Sequence, residues 1–221
     1  MKEENLVYYK HKDGSGDFGD FKHKFCINLN RRKNRWRNSF KNFSNNNITG
    51  VKRFIAEDHY DVKNKNIKIN KGSYCLGLTI EKILLKAKER GYEEVLIFED
   101  DVEFVENFEK LSENYLKDIY KYCSEWDMIY FGVNNIKTPM KINKNINKIK
   151  KGYTSHCMII RDTVYDMILE KFNKYKYIKE IDVIYSEMHE YINAYTPSKA
   201  LCVQREDFSD IEEKVVKKYV V

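Results

Sequence analysis

The sequence predicts an α/β fold with a mostly parallel central sheet flanked by helices, and three observations carry that prediction. Short apolar runs at residues 25–29, 51–55, 95–98 and 127–132 have the length of buried strands. The stretches between them repeat apolar residues every three or four positions, as one face of a helix does. Val95-Leu96-Ile97-Phe98 is apolar throughout, the pattern of a central strand covered on both faces. Strands alternating with helices favour parallel pairing.

Taken in order, residues 1–24 mix charges with Gly14, Gly16 and Gly19 and read as a charged leader. The first strand, 25–29, runs into the basic turn Arg31-Arg32-Lys33 and a helix with Trp36, Phe40 and Phe43 on one face. Asn45-Asn46-Asn47 breaks that helix before the strand at 51–55. Gly72-Ser73 opens a longer helix whose apolar face is Leu76, Ile80, Ile83, Leu84 and Ala87, with Gly91 as its stop. After the strand at 95–98 come a helix over 107–123 and a strand over 127–132 closed by a glycine. Residues 134–152, rich in Lys, Asn and Ile, show no period and read as a loop with a short hairpin. A strand at 156–160, a helix at 163–172 capped by Asp162, a helix at 182–191 with Asp182 as N-cap and a last strand at 200–204 complete the fold. The organisation expected is a leader, one enzyme-sized domain over 25–211 and a tail over 212–221.

Composition narrows the class. The 221 residues are 42% hydrophobic and 14% aromatic, enough for one substantial core and too aromatic for a disordered chain. The net charge of +6 is spread along the chain, so a nucleic-acid partner is not expected. Cys26, Cys75, Cys123, Cys157 and Cys202 are far apart with no CxxC spacing, and read as buried free thiols of a reducing compartment. The charged N-terminus has no apolar signal-peptide core, and no run reaches the length of a membrane span, so the expectation is a cytoplasmic protein.

The chemistry concentrates after the central strand, where Glu99, Asp100 and Asp101 follow one another. Adjacent carboxylates repel unless a cation compensates, and a hard ion such as Mn²⁺ or Mg²⁺ prefers oxygen ligands. The carboxyl end of a strand is also where open α/β sheets bind ligands. A solvated turn capping the next helix is the competing reading. Arg31, Arg32 and Arg35 after the first strand are either a solvated helix face or a phosphate-binding group, and Asp182 can cap a helix or act as a general base. His156, among apolar residues, is a core histidine or an acceptor-side group. No P-loop, nucleophile elbow or dinucleotide glycine motif is present.

These segments together resemble glycosyltransferase family 25, which includes lipooligosaccharide galactosyltransferases and collagen hydroxylysine galactosyltransferases. Ile27-Asn28-Leu29-Asn30-Arg31-Arg32-Lys33-Asn34-Arg35 is similar to the family's "INLxRRxxR", and Arg53-Phe54-Ile55-Ala56-Glu57-Asp58 to "RFxAxD". Leu96-Ile97-Phe98-Glu99-Asp100-Asp101-Val102-Glu103-Phe104 matches "LIxEDDVxF", and Asp127-Met128-Ile129-Tyr130-Phe131-Gly132 matches "DxIYxG". The segment from Gly72 to Thr79 departs from "GxxGCxLSH" in the order of glycine and cysteine and in Leu78-Thr79. His156-Cys157-Met158-Ile159-Ile160, Ile181-Asp182, Gln204 and Ser209-Asp210 continue the likeness in order, so that it spans nearly the whole chain.

The resemblance implies a GT-A fold, a UDP-sugar donor and transfer with inversion. It further implies that Asn28, Leu29, Arg32, Arg35, Glu99 and Asp100 bind the donor. Asp101, Glu99 and Gln204 are then the set for Mn²⁺ or Mg²⁺, Asp182 the base, and His156 an acceptor-side candidate. The implied acceptor is a saccharide or a collagen-like protein. Rival readings are a catalytically silent sugar-nucleotide or partner-binding domain, motivated by the altered 72–79 segment, and a nucleotidyltransferase that also uses strand-end acids with a divalent ion.

Overall fold

A computed structural model describes residues 6–7, 21–63, 66–209 and 214–216; side-chain environments are described up to residue 206. In chain order the elements are β1 (Leu6–Val7), β2 (Lys24–Leu29), α1 (Lys33–Asn45), β3 (Val51–Ala56), α2 (Lys71–Glu89), β4 (Glu94–Glu99), β5 (Val102–Phe104), α3 (Phe108–Tyr122) and β6 (Met128–Tyr130). They continue as β7 (Asn134–Lys137), β8 (Met140–Lys141), β9 (Ile146–Lys148), β10 (Lys151–Tyr153), β11 (Cys157–Arg161), α4 (Tyr165–Tyr175), α5 (Ile181–Met188), β12 (Ala194–Pro197), β13 (Cys202–Gln204), β14 (Asp207–Ser209) and β15 (Lys214–Val216).

The central sheet has the order β1-β3-β2-β4-β11-β6-β12-β9-β8. Strands β3, β2, β4, β6, β12 and β8 run one way, while β1, β11 and β9 run against them. The α/β class and the flanking helices agree with the sequence. Antiparallel pairing at the sheet margins comes from β1 and β9; in the interior the exception is β11, inserted between β4 and β6, with Cys157 opposite Phe98 and Met158 opposite Tyr130.

Period-two alternation along the central strands explains the three layers. Val95 and Ile97 of β4, with Met158 and Ile160 of β11, face a core completed by α2, α4 and α5. Leu96 and Phe98, with Cys157 and Ile159, face the opposite core, which α1 and α3 cover. Side chains 95–98 are wholly buried, and burial of each stabilises the fold by about 1.5–3 kcal/mol. The close fit of α2 on α4 depends on Gly77, where a Cβ would come within 2.3 Å of the Phe172 ring.

Helix ends follow local chemistry. Asn70 caps α2 by accepting from the backbone N–H of Gly72 at 2.7 Å and of Ser73 at 3.3 Å, and Gly91 leaves the helix at φ 64°. Two expected caps are corrected. Asp162 lies in a single 3-10 turn ahead of α4, whose N-cap is Val164, and α5 is capped at Glu180, so Asp182 occupies its first turn. The segment 134–152 is not a loop with one hairpin: it forms four short strands. β7 pairs with β10, and β8 with β9, the latter extending the main sheet beyond β12.

Leu6–Val7, inside the expected leader, pairs with Phe54 and Arg53 of β3. Asp210 and most of the expected tail lie outside the described residues. The five cysteines are buried free thiols. Among the described residues, no helix is long and apolar enough to cross a membrane.

Candidate active site

Because β2, β3 and β4 point the same way, their carboxyl ends deliver Asn28, Glu57 and Glu99 to one edge of the sheet. The turn after β4 adds Asp100 and Asp101. A short ribbon then brings a distant residue alongside: β13 pairs with β5, Gln204 opposite Val102. Gly132, just past β6, permits this approach, since a Cβ there would lie 2.3 Å from the Cys202 carbonyl oxygen. The cleft so formed holds about 90 Å³, and its apolar lining comes from Ile27, Leu29, Ala56, Cys75 and Leu76. Its polar lining comes from Asn28, Arg35, Glu57, His59, Glu99, Asp100, Asp101 and Gln204.

The acidic residues are tightly tied. Asn28 is buried; its amide nitrogen donates to Asp100 Oδ2 and to the Arg32 carbonyl at 3.1 Å, while its Oδ1 accepts from Arg53 Nε at 2.8 Å. Arg35 Nη2 lies 3.0 Å from both Asp100 Oδ1 and Asp101 Oδ2. Gln204 Nε2 donates to Asp101 Oδ2 at 2.9 Å, and the Arg205 backbone N–H to the Asp101 carbonyl at 2.7 Å. Asp101 Oδ1 is buried with no hydrogen-bond partner among the described residues.

Burial pushes Glu99 up to about 7, reinforced by Asp101 and partly offset by the Ser155 hydroxyl, which donates to Glu99 Oε1 at 2.8 Å. Burial also carries Asp100 up to about 6, against the pull of Arg35 and Asn28. For both carboxylates burial outweighs the compensation that the neighbouring donors supply.

Asp182 sits at the start of α5. Burial raises its carboxyl and the Glu180 charge adds to this, while backbone N–H groups of Val183, Asp182 and Thr154 act the other way. The helix start is anchored to the cleft wall: Ser73 of α2 donates to Glu180 Oε1 at 2.9 Å, and Gly72, Cys75 and Leu76 of the same helix line the cleft.

The predicted residues thus divide. Asn28, Leu29, Arg35, Glu99, Asp100, Asp101 and Gln204 converge on the cleft. Arg32 does not line it and contributes its carbonyl to Asn28. Asp182 and His156 lie outside the cleft lining, and His156 is buried with Nε2 3.4 Å from the Cys202 carbonyl. Burial acts to lower the His156 imidazole, yet Cys202, Glu99 and Asp101 outweigh it and bring it up to about 9. Sequence reading missed Arg53 and Ser155 as site residues. For Arg53 the signal was a charged side chain at an inward position of an apolar strand; it is 6% exposed.

Among the described residues, no group of three or more His, Cys, Asp and Glu side chains is arranged to hold a metal ion. The donors fit a smaller contribution: the unpartnered Asp101 Oδ1, with Glu99 beside it. A Mg²⁺-type site built on one or two carboxylates plus substrate phosphates has that form.

No family model matches the chain, and no curated protein matches it. Among solved structures, it is similar to a protein from STIV at 14% identity and TM-score 0.47, covering 91% of this chain and 97% of that one. It is similar to a glycosyltransferase involved in glycosylation of the major capsid of PBCV-1 (8% identity, TM-score 0.41, 76% and 74% covered). A UDP-glucose pyrophosphorylase complexed with UDP-glucose is another (13% identity, TM-score 0.43, 79% and 72% covered).

Proposed function

We propose that this chain is an inverting, divalent-metal-dependent glycosyltransferase of GT-A type, moving a hexose from a UDP-sugar to a hydroxyl of a saccharide or of a collagen-like protein. The observation that supports the reading is the convergence of Asn28 and Arg35 from the first strand and helix with Glu99, Asp100, Asp101 and Gln204 in one cleft. Its apolar lining suits a nucleobase and its acidic residues a cation-bridged diphosphate.

In this reading Asp101 Oδ1 and Glu99 hold Mn²⁺ or Mg²⁺, with Gln204 beside them. When bound, the ion supplies positive charge against that developing on the departing diphosphate. Arg35 and Asn28 fix the acidic turn. Asp182 accepts the proton of the acceptor hydroxyl as its oxygen bonds to the anomeric carbon and the bond from that carbon to UDP breaks.

Thermal shift against UDP-galactose, UDP-glucose and UDP-N-acetylglucosamine, with and without Mn²⁺, tests donor class and metal dependence together. A rise in Tm that needs Mn²⁺ is expected for at least one donor. No shift with any of them sinks the reading. One observation favours a second reading, a sugar-nucleotide-binding domain without turnover: Arg35 already bridges Asp100 and Asp101 as a cation would. Release of UDP from a donor that binds separates the two.

A further inference from the structure

Thr154 has φ 92°, a backbone conformation that a β-branched residue rarely adopts and that costs the fold energy. It stands between β10 and β11, and two contacts flank the strained bond. On its N-terminal side, β10 packs against α5, and the Thr154 N–H acts on the Asp182 carboxylate at the start of that helix. On its C-terminal side, Ser155 Oγ donates to Glu99 Oε1 at 2.8 Å. Rotation about φ moves everything after the N–Cα bond relative to the N–H before it. The φ of Thr154 is therefore one of the few torsions that relate the N–H acting on Asp182 to the hydroxyl that donates to Glu99. Its own hydroxyl donates to the Gly132 carbonyl at 3.4 Å, at the end of β6.

We propose that Thr154 is a positioning residue whose strained backbone fixes the Asp182 end of the site in register with Glu99. The inference rests on the transferase reading, in which Asp182 receives the acceptor's proton and Glu99 belongs to the donor side. Strain of this kind persists where surrounding contacts over-determine it, and catalytic constellations tolerate only about 0.5 Å of misplacement. Glycine at this position relaxes the strain and also frees the hinge.

The test compares wild type, Thr154→Gly and Thr154→Ala in three measurements: ligand-free Tm, the Tm shift given by the bound UDP-sugar with Mn²⁺, and the rate of UDP release. For Thr154→Gly, Tm rises by about 2 °C, the donor-induced shift is retained, and kcat falls at least tenfold at unchanged donor KM. Thr154→Ala keeps the Cβ, and so the strain, while losing the hydroxyl; its kcat stays within twofold of wild type. An unchanged or lower Tm in the glycine variant, or a kcat within twofold of wild type, overturns the proposal. So does an equal loss in both variants, which assigns the effect to the hydroxyl. A wild type that releases no UDP from any donor refutes the transferase reading instead.

Discussion

Two groups of buried polar side chains in this protein differ in how fully they are tied to one another. Around β2, β3 and β4, Asn28, Arg35, Arg53 and Asp100 bond to one another and to backbone carbonyls. As Asp101 Oδ1 beside that first group is, Asp182 Oδ1, Tyr185 Oη, Ser186 Oγ and His189 Nδ1 on α5 and its C-cap are buried without hydrogen-bond partners among the described residues. Their spacing of three, four and seven residues puts them on one helix face. The acidic end of the site is thus fixed by the chain's own hydrogen bonds. The Asp182 end is governed by burial, with its tuning left to a few backbone donors. A tied network fails hard when one member is removed, whereas unpartnered groups are dispensable for stability.

The largest effect expected from that contrast is at Arg35. Arg35→Met leaves Asp100 and Asp101 buried without their shared cation, and denaturant unfolding should show a loss of about 3–5 kcal/mol. Next, Asp101→Asn keeps the shape of the turn and removes the charge at the unpartnered oxygen. Donor turnover is expected to fall at least about a hundredfold, with the Mn²⁺-dependent part of the thermal shift gone. A full shift in that variant would falsify the metal assignment.

A third expectation concerns pH. Folded Glu99 titrates at about 7 and Asp100 at about 6, against 4.5 and 3.8 for the ordinary groups. The fold holds extra protons between those values, so the stability they favour is present at low pH and is lost as pH rises through 6 to 7. His189, lowered by burial to about 4, acts the other way below 6.5. Glu99→Gln isolates the first contribution: its Tm should fall less than that of wild type between pH 5 and 8, measured without ligand. The smallest effect belongs to the α5 face. Ser186→Ala removes a hydroxyl with no partner and should leave stability within about 0.5 kcal/mol; a loss above about 2 kcal/mol would break the contrast between the two groups.

Legibility in the sequence follows the same division. The first half of the chain is written in long local signals: the four-residue apolar run of β4, and the face of α2 formed by Ile80, Ile83, Leu84 and Ala87, all buried as their spacing indicates. The acids after β4 were visible as a group because they are adjacent in the chain. Strand direction is not a local property, which is why 156–160 was recognisable as a strand while its reversal as β11 was not. Residues 134–152 escaped because their strands are two to four residues long, and β7 is mostly exposed, leaving no period to detect. Caps at Asp162 and Asp182 failed by a residue or two, where Glu180 is instead engaged by Ser73 across 107 positions of sequence. Thr154 had no sequence signal at all, since a threonine says nothing of the sign of φ.

The reversed strand also imposes an order on synthesis. Phe98 of β4 waits for Cys157 of β11, and Ile129 of β6 for Ile159, before the middle of the sheet can close. At translation rates of about 5–20 residues per second, the roughly sixty residues between β4 and its partner take about 3–12 s to emerge. Throughout that interval the most apolar strand of the protein offers an unpaired edge to any other chain. Rapid local packing of α1 and α2 can cover the faces of β4 in that interval, but its edge stays open until β11 emerges, a demand for protection that the position of β11 places on the cell.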